Sequence, residues 1–287
     1  MIAIVGGLTA ALLWAATTLT SSRAGRLIGS TSTCAWMMLV GVALALPMTL
    51  ATGGVPTLTS DMAPWLVGSS VGGVGGLLLT YRGLRLGKVG VVAALASTEG
   101  AIAAVLSVFA GEKLTLPVAG VLVVLAVSVA VVAFAEGEIE PTEHAANQRA
   151  LERRGALYGG IAALLFGISI FSTAQLGKSL SPWAAVLPVR LGGTIAVFVP
   201  MALSGRLRLV RPAVPMVLLI GVGEVFGNAA YVVGCQESIA VTAVLASQFA
   251  GIAAVAAFVL FRERLTLQQR SGVVAIALGV AVLTLVR

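Results

Sequence analysis

A handful of polar side chains stand inside stretches that are otherwise apolar, and their types could bind and release a small charged molecule. Glu99 lies in VAALASTEGAIAAV, with Ser97 and Thr98 beside it. A charge at the centre of a membrane costs about 3 kcal/mol or more, so this carboxylate needs a cation or takes a proton. Either outcome suits a site that captures an amine or a proton and releases it elsewhere. The bland alternative is a protonated carboxyl that ties its helix to a neighbour. Glu224 is the second acid, with Asn228 one helical turn on and on the same face and Tyr231 a further turn away. For this group, binding and structural glue are equally open. Gln248, next to Ser247, is a neutral amide that can contact a substrate or bridge helices. Arg190 is the only basic residue well inside an apolar stretch. Its guanidinium offers a two-pronged fork for a carboxylate, and it can equally pair with Glu224 or reach to the near interface. Trp14, in ALLWA, fits a core or a cavity wall.

Other chemistries lack their parts. Two cysteines, Cys34 and Cys235, and one histidine, His144, supply neither a thiolate metal cluster nor a Cys–His pair. The two cysteines are expected near opposite faces and unpaired. The phosphate-cradling loop Gly-x4-Gly-Lys-Ser/Thr is incomplete, since Gly177-Lys178-Ser179 has Ser172 where the loop needs its first glycine, so ATP is not the expected energy source. The expectation is a protein that is not an enzyme, has no catalytic residues, and needs no cofactor or metal.

The elements that position these groups follow from composition. Of 287 residues, 59% are apolar and 10% charged, whereas a soluble globule carries roughly 25% charged residues. The solvent is therefore lipid. Backbone groups in lipid must pair internally, in helices or a closed barrel. Long unbroken runs of Ala, Leu, Val and Gly exclude the alternating pattern of a barrel. Ten spans of about 20 residues fit the chain at Ile2–Ser21, Thr31–Ala51, Met62–Tyr81, Gly90–Ala110, Leu116–Phe134, Gly155–Ala174, Pro182–Ser204, Ala213–Val233, Ile239–Phe261 and Gln268–Leu285. The amino terminus has no basic region or cleavage site and reads as the first span rather than a removed leader. The high pI of about 10.3 does not imply nucleic acid, because the basic residues fall in twos and threes between spans and set orientation.

The chain also repeats. Leu95-Ala96-Ser97 matches Leu245-Ala246-Ser247, and Ile102 to Val105 matches Ile252 to Val255. Glu112-Lys113-Leu114-Thr115 has a twin in Glu263-Arg264-Leu265-Thr266, ALLWA at Ala11 in ALLFG at Ala163, and Gly72-xxx-Gly76 in Gly223-xxx-Gly227. Repeat 1 covers residues 1–135, a polar linker covers 136–153, and repeat 2 covers 154–287. Five spans per repeat is an odd number, so the second copy enters the membrane upside down, the architecture of secondary transporters. The expected fold is all-α, polytopic, with ten transmembrane helices in two inverted five-helix repeats. The glycine ridges let helix backbones approach closely, and Glu112 and Glu263, at helix ends before the N-caps Thr115 and Thr266, read as structural.

The twin Glu-Lys/Arg-Leu-Thr motifs and Trp14 in ALLWA resemble the EamA-like permeases of the drug/metabolite transporter superfamily. The resemblance spans nearly the whole chain in two copies. Family members often carry proline after the mid-span position of spans 4 and 9; here Gly100 follows Glu99 and Ala250 follows Phe249. Neither span is then expected to carry a proline kink. The resemblance implies both termini in the cytoplasm. The charge count disagrees: fourteen of the 18 basic residues fall on the face away from the termini, which by the positive-inside rule places the termini outside.

The function these observations point to is a secondary transporter in the cell membrane of a prokaryote, moving a small metabolite by alternating access. A central cavity is expected between spans 1, 3, 4, 6, 8 and 9, with an amino acid or amine as substrate and protons as a candidate coupling ion. The alternatives are a lipophilic-cation efflux protein, which needs the carboxylates and not Arg190, and a non-transporting scaffold or receptor that keeps the fold.

Overall fold

The structure is a computed structural model that describes residues 1–53, 57–86, 92, 95–134, 145–249, 251–253, 256 and 282. Within them every regular element is helical; the longer helices are, in order, α1 (Ile2–Ile28), α2 (Ser30–Gly53), α3 (Ala63–Leu86), α4 (Glu99–Phe109), α5 (Leu116–Phe134), α6 (Ala145–Leu176), α7 (Pro182–Gly193), which runs on through a π-helical turn (Thr194–Phe198) into Val199–Leu203, α8 (Val214–Cys235) and α9 (Ile239–Ala246). Among the described residues, six helical segments are long and apolar enough to cross a membrane. Span 10, apart from Val282, and the Glu263 motif lie outside the described residues. The surface is inverted relative to a soluble globule. Leu12, Val67, Val71, Ile195 and Leu219 point outward and exposed, while Arg190, Gln248 and Thr242 are buried. That distribution suits a solvent of hydrocarbon.

Two helix pairs dominate the packing, α3 with α6 and α1 with α8. In both, small residues let antiparallel backbones close. A Cβ on Gly72 would come 2.6 Å from the Leu165 carbonyl oxygen, and one on Gly223 would come 2.5 Å from the Thr17 methyl. Gly76 faces Phe166 and Gly227 faces Trp14. The ridge of each repeat thus packs on the first helix of the other. The remaining contacts pair off in the same way: α4 on α6 with α9 on α1, and α2 on α8 with α7 on α3. Hydroxyls fasten the first pair further, with Ser69 and Thr173 2.7 Å apart and Ser169 donating to the Ser69 carbonyl at 2.7 Å.

Three boundaries differ from the sequence reading. Helix α6 begins at Ala145, ten residues before the expected start of span 6. Its first turns carry Arg149, Glu152, Arg153 and Arg154, good helix formers that need no lipid. Spans 4 and 9 are not continuous. Leu95 and Ala96 are helical, Ser97 and Thr98 form a turn, and α4 restarts at Glu99. The second copy does the same, with α9 ending at Ala246, a turn at Ser247 and Gln248, and helix again at Phe249. No proline is needed. Thr98 Oγ1 donates to the Leu95 carbonyl at 2.7 Å, and Ser247 Oγ and Gln248 Nε2 both donate to the Val244 carbonyl at 2.8 Å. Side chains thereby hold carbonyls that the interrupted ladder releases.

Candidate functional site

Antiparallel packing of α1 on α8 places Thr17 opposite Glu224, and packing of α2 on α7 places Arg190 against Met38 and Gly41. These helices bring together the charged residues of the second repeat. Glu224 accepts from Thr17 Oγ1 at 3.0 Å and from Arg190 Nη2 at 3.1 Å. The guanidinium is 2% exposed and the carboxylate 23%, so the pair is largely out of solvent on the arginine side. A Cβ at Gly41 would sit 2.6 Å from Arg190 Cδ, so the glycine makes room for the arginine stem. Asn228 stands one turn from Glu224 as expected, but its Nδ2 donates to the Glu224 backbone carbonyl at 2.8 Å. Of the roles open to Arg190, the structure displays the pairing with Glu224.

Glu99 has a different setting. The turn at Ser97–Thr98 makes it the first residue of α4, so the expected mid-helix acid is an acid at a helix N-terminus. Unpaired N–H groups and the helix dipole favour a negative charge there. The residue is 8% exposed. Among the described residues no hydrogen-bond donor and no basic side chain meets its carboxylate. Its charge is close enough to Glu224 for the two to interact. Gly100, next to Glu99 on α4, packs against Ala243 and Ser247 on the facing segment, which fixes the two helix breaks side by side.

An aromatic layer lies next to these groups. Trp14 is 6.0 Å from Tyr231 and 6.1 Å, edge-on, from Phe249 between ring centroids. Three polar atoms here and at the ion pair are buried without a hydrogen-bond partner among the described residues: Trp14 Nε1, Gln248 Oε1 and Arg190 Nε. A buried unpaired polar group costs roughly 1–3 kcal/mol, and such groups mark places where a ligand or water belongs. Among the described residues no cluster of three or more His, Cys, Asp or Glu could hold a metal ion. Cys34 and Cys235 are free and buried, near the start of α2 and the end of α8.

Residues the sequence reading missed are Thr17, which joins Glu224 to α1, and Met38, on which Arg190 rests. The repeat spacing was a usable signal, because Thr17 aligns with Ser169 and Met38 with Arg190 at the offset that aligns Trp14 with Phe166. The helix breaks also had a signal in the paired Leu-Ala-Ser segments, each followed by a second polar residue.

A family model, the EamA-like transporter family, matches residues 1–134 and again 153–285. The chain belongs to this family. That makes it a multi-pass membrane transporter protein of the drug/metabolite transporter superfamily. A solved structure, titled only as the crystal structure of a protein, is similar at a TM-score of 0.81 over 99% of this chain and 99% of its own, with 18% identity. At that identity the likeness speaks for the fold alone. No curated protein matches. In this EamA-like transporter the first of the twin Glu-Lys/Arg-Leu-Thr segments, at Glu112, lies within the described residues. Glu112 lies across from the start of α9, accepting from Ser238 Oγ and from the Ala240 N–H.

Proposed function

We propose that this protein moves a small organic amine, amino acids included, across the cell membrane by alternating access, without ATP. Two inverted five-helix halves rock about a site at the paired breaks of spans 4 and 9. The reciprocal packing of each ridge on the other repeat's first helix supports this architecture, as does the odd number of spans per repeat. Discontinuous helices whose N-termini and freed polar groups meet midway are where secondary transporters place their sites. The single observation that carries the substrate class is the inequality of the two carboxylates. Glu224 has Arg190 and Thr17, while Glu99 has no counter-charge among the described residues. A group that lacks a protein cation is free to take one from solution, as a proton or an amine. The termini face outward, because the arginines at the end of α1, the end of α3 and the loop before α8 gather on the opposite face.

A second reading is efflux of a flat lipophilic cation. It is favoured by the pairing of Arg190 with Glu224, which neutralises the buried cation that a substrate carboxylate would need, and by the Trp14, Tyr231 and Phe249 rings, whose faces attract cations. Counterflow of labelled amino acids, simple amines and aromatic cations in proteoliposomes, with and without a pH gradient, separates the two. Uptake of none of them by folded protein excludes both and leaves the scaffold or receptor.

A further inference from the structure

The motif that identifies the family is not absorbed by the central site, and its geometry has a purpose of its own. Helix α4 ends in a left-handed turn at Gly111, with φ at 97°. The Glu112 N–H bonds the Ser107 carbonyl and the Gly111 N–H bonds that of Val108, the Schellman closure that glycine permits. This turn projects Glu112 away from its own helix and onto α9 in the other repeat. There its two oxygens divide between partners, one taking the Ser238 hydroxyl and the other the Ala240 N–H. Ser238 Oγ in turn accepts from the Val241 N–H at 3.2 Å. A carboxylate from one half therefore completes the N-terminal cap of a helix in the other half, where the dipole also favours it.

The contact stands at the end of the bundle where Met1 and Glu237 meet. Directly inside it lie Tyr231, Cys235, Ile239 and Ala243, all buried in one apolar cluster with Trp14. A second carboxylate crosses the halves at the same face in the opposite sense: Glu237 accepts from the Ala3 N–H at 2.8 Å and pairs with the Met1 ammonium at 2.9 Å. In the alternating-access reading this face opens toward Glu99 by parting α4 from α9 at their ends, and parting them strips Glu112 of both donors.

We propose that Glu112 is the latch that holds the amino-terminal face shut, a positioning residue that touches no substrate. The inference rests on the alternating-access reading, and the two native cysteines supply its test. Cys235 lies inside the latched face and Cys34 near the other. Single-cysteine proteins (Cys34→Ser or Cys235→Ser) in lipid nanodiscs are treated with a polar maleimide, with and without Glu112→Gln. The latch predicts that Glu112→Gln speeds Cys235 labelling about tenfold, the scale of one hydrogen bond to a charged group, and leaves Cys34 labelling unchanged or slower. Ser238→Ala, which deletes one donor, shifts the rates the same way by a smaller factor. Unchanged Cys235 labelling in folded Glu112→Gln overturns the latch and leaves a helix cap. Equal acceleration of both cysteines also overturns it, as a loosened fold. Failure of amine flux in unmutated protein sinks the transport reading separately, because the cysteine rates do not depend on any substrate.

Discussion

The two repeats are alike in how they pack and unlike in where they carry charge. Gly72 and Gly223 do the same work against Ser169 and Thr17, and the breaks at Ser97–Thr98 and Ser247–Gln248 align. At the same offsets, Met38 corresponds to Arg190, Gly73 to Glu224, and Glu99 to Phe249. The second repeat holds an acid that is already neutralised by its own arginine. The first holds an acid at a helix N-terminus with nothing basic against it among the described residues. The packing is thus symmetric between the repeats, whereas the charge is not. The two glutamates, similar in a hydropathy plot, therefore stand in opposite settings: Glu224 is paired with Arg190, and Glu99 has no counter-charge among the described residues.

The sharpest way to break the comparison is to make the second repeat like the first. Arg190→Met should destabilise the protein by about 3 kcal/mol, because it leaves Glu224 without its cation in a low-dielectric setting. Adding Glu224→Gly should recover most of that loss, and thermal unfolding in detergent reads both. If the double variant is no more stable than the single one, Glu224 is not the partner that matters.

Glu99→Gln tests the other acid. It keeps shape and most hydrogen bonding while removing the charge, so folding and insertion should survive while pH-driven transport or amine recognition is lost. The readout is flux by purified, folded protein at several pH values. A wild-type rate with an unchanged pH profile would make Glu99 a packing residue and erase the contrast with Glu224.

A smaller effect tests the symmetric side. Gly72→Ala should cost about 1–3 kcal/mol by overpacking against backbone, and Gly223→Ala somewhat less, since a side-chain methyl can yield. Gly120→Ala, with nothing within 4 Å, should be neutral or slightly stabilising through helix propensity. Equal losses at all three would mean that the ridges do not join the repeats.

The smallest perturbation is a topology probe that leaves both repeats intact. A cysteine placed near residue 1 should label from outside in intact cells, and one at Gly205 should not. The reverse pattern would defeat the orientation argued from the arginines.

Much of this was legible in the chain before any coordinates. Ten percent charge cannot solvate a globule of this length, so a membrane was required by composition, and the family followed from motifs set in duplicate. The acids, the arginine and the glycine ridges could be named because a polar or small residue inside an apolar run has a cost or a packing use wherever it occurs. Their partners could not. Which group neutralises Arg190 depends on helices thirty or more residues apart meeting at one depth, and Asn228 turned to the backbone rather than to a neighbouring side chain for reasons of local reach. Sequence periodicity made spans 4 and 9 single helices, since hydropathy is blind to a two-residue turn whose carbonyls are held by Ser, Thr and Gln. Only tertiary packing decided that these turns face each other across Gly100, that Glu99 begins a helix rather than interrupting one, and that Glu112 reaches across to α9. Each depends on atoms far apart in the chain arriving within hydrogen-bonding distance, and no local pattern encodes that distance.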